Sequence, residues 1–122
     1  MGSDWQVGRL IVTAAFELDG QSFTALNGGS NFKFNEAISF QINCETQEEV
    51  DYYWEKLTEG GDERDHQRGW LKDKFGVSWQ VVPTELPELL LDPNSEKSQR
   101  AMNALMEMKK LDIDALKRAY AG

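Results

Sequence analysis

Residues 69–83, GWLKDKFGVSWQVVP, constrain the fold more than any other stretch of the chain. Two short runs rich in β-branched and aromatic residues flank Lys72-Asp73-Lys74 and Gly76, which is the pattern of a β-hairpin. Gly76 is placed to supply any positive φ the turn needs, and the turn's charges are expected to stay solvated. Along the second strand Val77, Trp79 and Val81 share one face while Ser78, Gln80 and Val82 share the other. Such a strand buries one face and turns a more polar one toward a cleft.

The chain is one domain's worth at 122 residues, long enough to build a core without disulfide or metal staples. Twenty-one acidic residues against thirteen basic ones give a net charge of -8. That charge repels phosphate backbones and anionic lipid, and no basic stripe overrides it, so neither nucleic acid nor a membrane is an expected partner. The single cysteine, Cys44, forms no internal bridge. Residues 1–8 lack the basic and apolar blocks of a signal peptide, and no run of about 18 apolar residues occurs. The expected compartment is a reducing cytoplasm.

Strict alternation from Leu10 to Leu18 puts Leu10, Val12, Ala14, Phe16 and Leu18 on one face, and Asp19-Gly20 then supplies a two-residue hairpin turn. Gln21 to Leu26 is the predicted return strand. After a loop around Asn27-Gly28-Gly29-Ser30-Asn31, Ala37 to Cys44 alternates again, with Ile38, Phe40, Ile42 and Cys44 opposite Ser39, Gln41 and Asn43. Thr46 and Glu49 form a capping box for a helix whose stripe is Val50, Tyr53, Trp54 and Leu57, ended by Gly60-Gly61. That helix is expected on the strand's dry face. Asp62 to Gln67 reads as a solvated loop rather than an edge strand. Pro87, Asp92 and Pro93 punctuate a linker, Ser95 to Lys110 reads as a helix with Met102, Leu105 and Met106 on one stripe, and Asp112 caps a last helix carrying Ile113, Leu116 and Tyr120.

Three segments together, FELDGQSFTALNGG (Phe16 to Gly29), AISFQINCETQEEVDYYWEKLTEGG (Ala37 to Gly61) and GWLKDKFGVSWQVVP, closely resemble the PhnB-like, or demethylubiquinone methyltransferase-like, branch of the vicinal oxygen chelate superfamily. The resemblance implies an α+β glyoxalase/dioxygenase fold of βαβββ modules curled around a ligand cleft. It divides one glyoxalase-like domain, 1–122, into a partial first module at 9–34, a complete second module at 37–83 and C-terminal helices at 94–121. Members of the branch begin with a strand, a helix and a strand before the FELDG hairpin, whereas residues 1–8 are all that precede it here. Either a shortened chain or a second copy that supplies the missing part is consistent with this.

Metal-using members of the superfamily place a His on a module's first strand and a Glu on its last. The resemblance maps Ala37 and Gln80 to those places in the second module and Thr24 to the last strand of the first. None is a strong ligand, so no metal is expected. His66, the only imidazole, lies in the polar run DERDHQR and reads as a surface residue. Cys44 reads as a buried small hydrophobe with no His to generate its thiolate. Glu36 at the strand start reads as solvated, and Trp54, Trp70, Trp79, Phe40 and Tyr53 read as core rather than as a stacking platform. Gly28-Gly29 lacks the spacing of a nucleotide-binding loop, so no cofactor is expected and nothing points to methyl transfer.

The residues support a metal-independent small-molecule-binding protein whose cleft is lined by Thr24, Ser39, Gln41, Ser78 and Gln80, with the ligand unspecified and no catalytic residue assigned. An enzyme of the glyoxalase/dioxygenase or methyltransferase-like type and a shortened, dimerising domain without a ligand site are the alternatives. A homodimer is expected, because the 10–26 hairpin leaves a sheet edge and an apolar face to cover.

Overall fold

The structure, a computed structural model, describes residues 5–7 and 10–122, with side chains from residue 13 onward. Two compact units divide the chain, one ending at Lys33 and one running from Phe34 to Gly122.

The first unit is an antiparallel sheet of β1 (Trp5–Val7), β2 (Leu10–Leu18) and β3 (Gln21–Leu26), in that order. Asp19 at φ +50° and Gly20 at φ +76° make the predicted two-residue turn, which pairs Leu18 with Gln21 and Phe16 with Phe23. The two phenylalanine rings stack at 5.6 Å. Cross-strand register puts Ala14, Phe16 and Leu18 on one face with Phe23, and Thr24 on the other beside Ala15. The predicted orientations of Leu10 and Val12 lie outside the described side chains. β1 carries no turn or alternation signal long enough to be read from sequence.

In the second unit β4 (Phe40–Cys44) runs parallel to β6 (Ser78–Pro83), and β5 (Trp70–Lys72) pairs antiparallel on the other side of β6, giving the order β4-β6-β5. Helix α1 (Gln47–Thr58) joins the first strand to the rest. Thr46 caps it through the Glu49 amide at 3.2 Å, and Gly60 at φ +77° follows its end. Val50, Trp54 and Leu57 of α1 pack on Ile42, Cys44, Leu71 and Val81, the expected dry face of the sheet. Tyr53 turns outward instead and meets Tyr52 edge-on at 5.2 Å. β4 starts at Phe40 rather than Ala37, and Ile38 is exposed. β6 pairs from Phe40 onward, so the residues before it have no ladder to join.

Asp73 organises the hairpin between β5 and β6. Its carboxylate accepts from the Phe75 amide (2.9 Å), the Val77 amide (3.0 Å) and the Trp79 indole (2.9 Å), while Gly76 takes φ +89°. The turn's charges are therefore not all solvated, since Asp73 and Lys72 both have partners. The 62–67 segment is neither plain loop nor strand. Asp62 caps a single 3₁₀ turn, Glu63–Asp65, and Gln67 bridges back to Trp70.

The presumed linker contains a short helix, α2 (Leu86–Leu90), whose first turn accommodates Pro87. α3 (Ser95–Met106) ends earlier than the run to Lys110 suggests, because the following loop is recruited elsewhere: Met108 and Lys109 carbonyls accept the Arg68 and Gly69 amides at 2.7 and 2.8 Å. Its buried stripe is Ala101 and Leu105, and Met102 and Met106 are exposed. α4 (Ile113–Ala121) is capped by Asp112 as predicted and buries Ile113 and Leu116. Leu105, Leu111 and Leu116 close a second core around Val82. The Gln47 amide fastens α1 to the loop before α4, donating to the Leu111 carbonyl at 2.9 Å and accepting the Ile113 amide at 2.8 Å.

Candidate functional site

One face of the β4-β6-β5 sheet is apolar and covered by α1; the other is polar except at Val82, which enters the second core. Register fixes its membership: Gln41 lies opposite Gln80, Asn43 opposite Val82, Trp70 opposite Gln80 and Lys72 opposite Ser78. Alternation along a strand sends these partners to the side away from Val81 and Leu71. The sequence foresees this face from the spacing of Ser78 and Gln80 and of Ser39, Gln41 and Asn43, and the parallel pairing of β4 with β6 puts the two polar sets on one side.

Of the residues expected to line a cleft, Ser39, Gln41, Ser78 and Gln80 lie together here, and the Gln80 amide donates to the Ser39 hydroxyl at 3.0 Å. The Gln41 amide donates to Asn43 at 2.8 Å. Thr24 belongs to the first unit and is exposed on the face of its own sheet opposite Phe16.

Two cavities open on the polar face. One, of about 280 Å³, is lined by Gln41, Asn43 and Gln80 with Val82, Leu86 and Leu90, an amide wall facing an aliphatic one. The other, of about 320 Å³, is lined by Glu36, Arg68, Trp70, Lys72 and Ser78 among others. Both volumes lie at the small end for ligand sites, the size of a compact metabolite rather than of a cofactor. Ser78 is 2% exposed and its hydroxyl has no hydrogen-bond partner among the described residues. Lys72, Glu36, Trp70 and Asn43 were not among the expected lining. The signal for Lys72 and Trp70 was present in sequence, two alternate positions of the first hairpin strand, but it was legible only once their register with Ser78 and Gln80 was fixed.

Glu36 is not simply solvated, as its place at a strand start suggests. It forms an ion pair with Lys72, whose ammonium holds the Glu36 carboxyl below its usual range and is itself held above its own. A carboxylate so paired is ionised at neutral pH and is a poor proton acceptor. Burial pushes the Cys44 thiol up to about 11, with Glu49 adding to the rise, which keeps it protonated and inert.

His66 departs from its expected surface role. It is half-buried, its ring meets Trp54 edge-on at 5.4 Å, and its Nε2 is buried without a partner among the described residues. The 3₁₀ turn folds it back under α1, which polar composition alone does not reveal. The aromatic set divides: Trp54 and Trp79 pack against the core, whereas Phe40 and Trp70 are 40% and 37% exposed.

The donor set does not fit a divalent metal. Ala37 offers no side-chain ligand, Gln80 is a neutral amide already bonded to Ser39, and no group of three His, Cys, Asp or Glu among the described residues is placed to hold an ion. Nor do the described helices open on the glycine-rich turn that would hold a nucleoside cofactor; Thr46, Glu85, Asn94 and Asp112 stand at their starts.

The sequence profile of the 3-demethylubiquinone-9 3-methyltransferase family matches residues 3–82, more than half of the chain. The chain belongs to this family. Among solved structures it is similar to the PhnB protein from Bacillus cereus, with 30% identity over 69% of this chain and 77% of that one and a TM-score of 0.57. No curated protein matches it. Family and neighbour agree with the PhnB-like resemblance carried by the FELDG and Trp79 segments, and with a mixed α+β glyoxalase fold. No helix among the described residues is long and apolar enough to cross a membrane.

Proposed function

We propose that this PhnB-like family member is a metal-independent, cytoplasmic small-molecule-binding protein that uses the polar face of its second sheet. The observation that carries this reading is the segregation of that sheet: α1 covers Ile42, Cys44 and Val81, while Gln41, Asn43, Ser78 and Gln80 converge on the opposite side around two cavities. Neutral amides and hydroxyls orient a ligand by directed hydrogen bonds without the charge a metal would need. Protein stripped with EDTA should therefore gain thermal stability from a panel of small carboxylates, amides and alcohols at millimolar concentration, and Gln80→Leu should lose part of that gain. Stabilisation that vanishes with EDTA and returns with one divalent ion would replace this reading with a metal-dependent enzyme.

We also propose a homodimer. Phe16 and Leu18 are 44% and 45% exposed, and the first unit has no helix among its described residues to lay over them. A second copy buries such a face at little cost, since one surface serves both partners. Light scattering coupled to size exclusion should give twice the chain mass at low micromolar concentration, and Phe16→Glu should shift it to one. A one-chain mass for the unaltered protein at every concentration would refute the dimer.

A further inference from the structure

The 320 Å³ cavity has a chemistry more specific than its neighbour. Ser78 and Lys72 face each other across the β5–β6 ladder, so both side chains leave the sheet on the same side and line the cavity. Trp70 lies two residues before Lys72 on the same face, and its partly exposed ring forms a wall of the cavity. The Lys72 ammonium already holds a carboxylate, that of Glu36, whose side chain is 64% exposed and is free to swing into solvent. The Ser78 hydroxyl is buried without a hydrogen-bond partner among the described residues, which leaves a donor at the cavity wall for a group that binds there. Arg64, Arg68 and Lys72 line the cavity with Glu36 and Asp65; Arg64 is paired with Asp62 and Lys72 with Glu36.

We infer that this cavity takes a small planar organic carboxylate, which replaces Glu36 on Lys72, accepts a hydrogen bond from Ser78 and lays its ring on Trp70. The inference rests on the polar face being the ligand surface and adds the class of ligand. Glu36 acts as an internal stand-in for the ligand's carboxylate, closing the site when it is empty. The interaction is charge-assisted at one end and apolar at the other, so neither an inorganic anion nor a neutral ring satisfies both.

Titration calorimetry of the full chain in EDTA, with benzoate, benzamide and acetate as probes, tests it. Benzoate should bind at least about tenfold more tightly than either of the others, as expected for one charge-assisted contact plus one ring contact. Lys72→Met should weaken benzoate by about tenfold or more, and circular dichroism should show the variant folded. Glu36→Gln should strengthen benzoate by up to about fivefold, the worth of an exposed ion pair. Ser78→Ala should raise the melting temperature of the free protein while weakening benzoate, a pairing that a purely structural serine would not produce. Equal affinity for benzoate and acetate would mean an adventitious anion only, and equal affinity for benzoate and benzamide would remove Lys72 from recognition; either overturns the inference. If neutral amides or alcohols bind the polar face while benzoate shows no preference, the carboxylate assignment falls and the binding reading stands. If no compound of any charge binds, both fall.

Discussion

Gly69 and Gly76 both take positive φ, yet their surroundings make them unequal. At Gly69, φ +84°, an added Cβ would stand 3.1 Å from both the Leu111 Cδ1 and the Val81 carbonyl; at Gly76, φ +89°, it would meet nothing within 4 Å. Leu111 is fully buried and Val81 O is backbone, so neither gives way. Gly69→Ala should cost about 2–4 kcal/mol, left-handed strain plus overpacking, and Gly76→Ala about 1–2 kcal/mol, strain alone. Equal urea midpoints for the two variants would mean that the turn before β5 can rearrange. Cys44 makes a prediction in pH. Its thiol is pushed up to about 11 in the folded chain, so the native state holds the proton longer than the unfolded state does. Stability is unaffected below the ordinary thiol range and falls as pH rises toward 11, by about 3 kcal/mol in all. Cys44→Ala should flatten the alkaline limb of a stability profile; an unchanged limb would show that the thiol is not the titrating group. Cys44's burial was legible from strand alternation. The position of His66 beneath Trp54 and the Gln47 clamp on Leu111 and Ile113 were not, because both depend on chain segments distant in sequence meeting in space.

At the scale of elements, local signals located the hairpins, α1 and α4, where turn residues and caps act within a few positions. Asp19-Gly20, Thr46, Gly60 and Asp112 all do in the structure what their chemistry dictates. Elements whose bounds depend on distant partners depart from their local signals. β4 lacks the first three residues of the predicted strand because its ladder with β6 begins only at Phe40, and α3 stops at Met106 because the loop beyond it satisfies the Arg68 and Gly69 amides. The exposed Met102 and Met106 follow from the same cause, since α2 and α4 select which stripe of α3 is buried. Trp54 joins α1 to the sheet and also packs against His66. Trp54→Ala should therefore cost about 3 kcal/mol, the low end for a large aromatic because the residue is only half-buried. A urea midpoint close to that of the unaltered chain would mean that the α1–sheet contact does not depend on this ring.

For the molecule as a whole, the pattern of one strand, Ser78 to Val82, already implied a sheet with a dry face and a wet one. What it did not contain was the partition of the wet face into an amide-lined cavity and a charged one, which arises from the parallel partner β4 on one side and the antiparallel partner β5 on the other. The ligand reading stands on that face, and amide resonances report on it directly. Titrating isotopically labelled protein in EDTA with the panel of small carboxylates, amides and alcohols, benzoate among them, should move the signals of Ser39, Gln41, Lys72, Ser78 and Gln80. Those of Val50 and Leu116, on the buried faces of α1 and α4, should stay still. Saturable shifts confined to the polar face are the predicted result; shifts clustered elsewhere, or none from any member of the panel, would contradict the account.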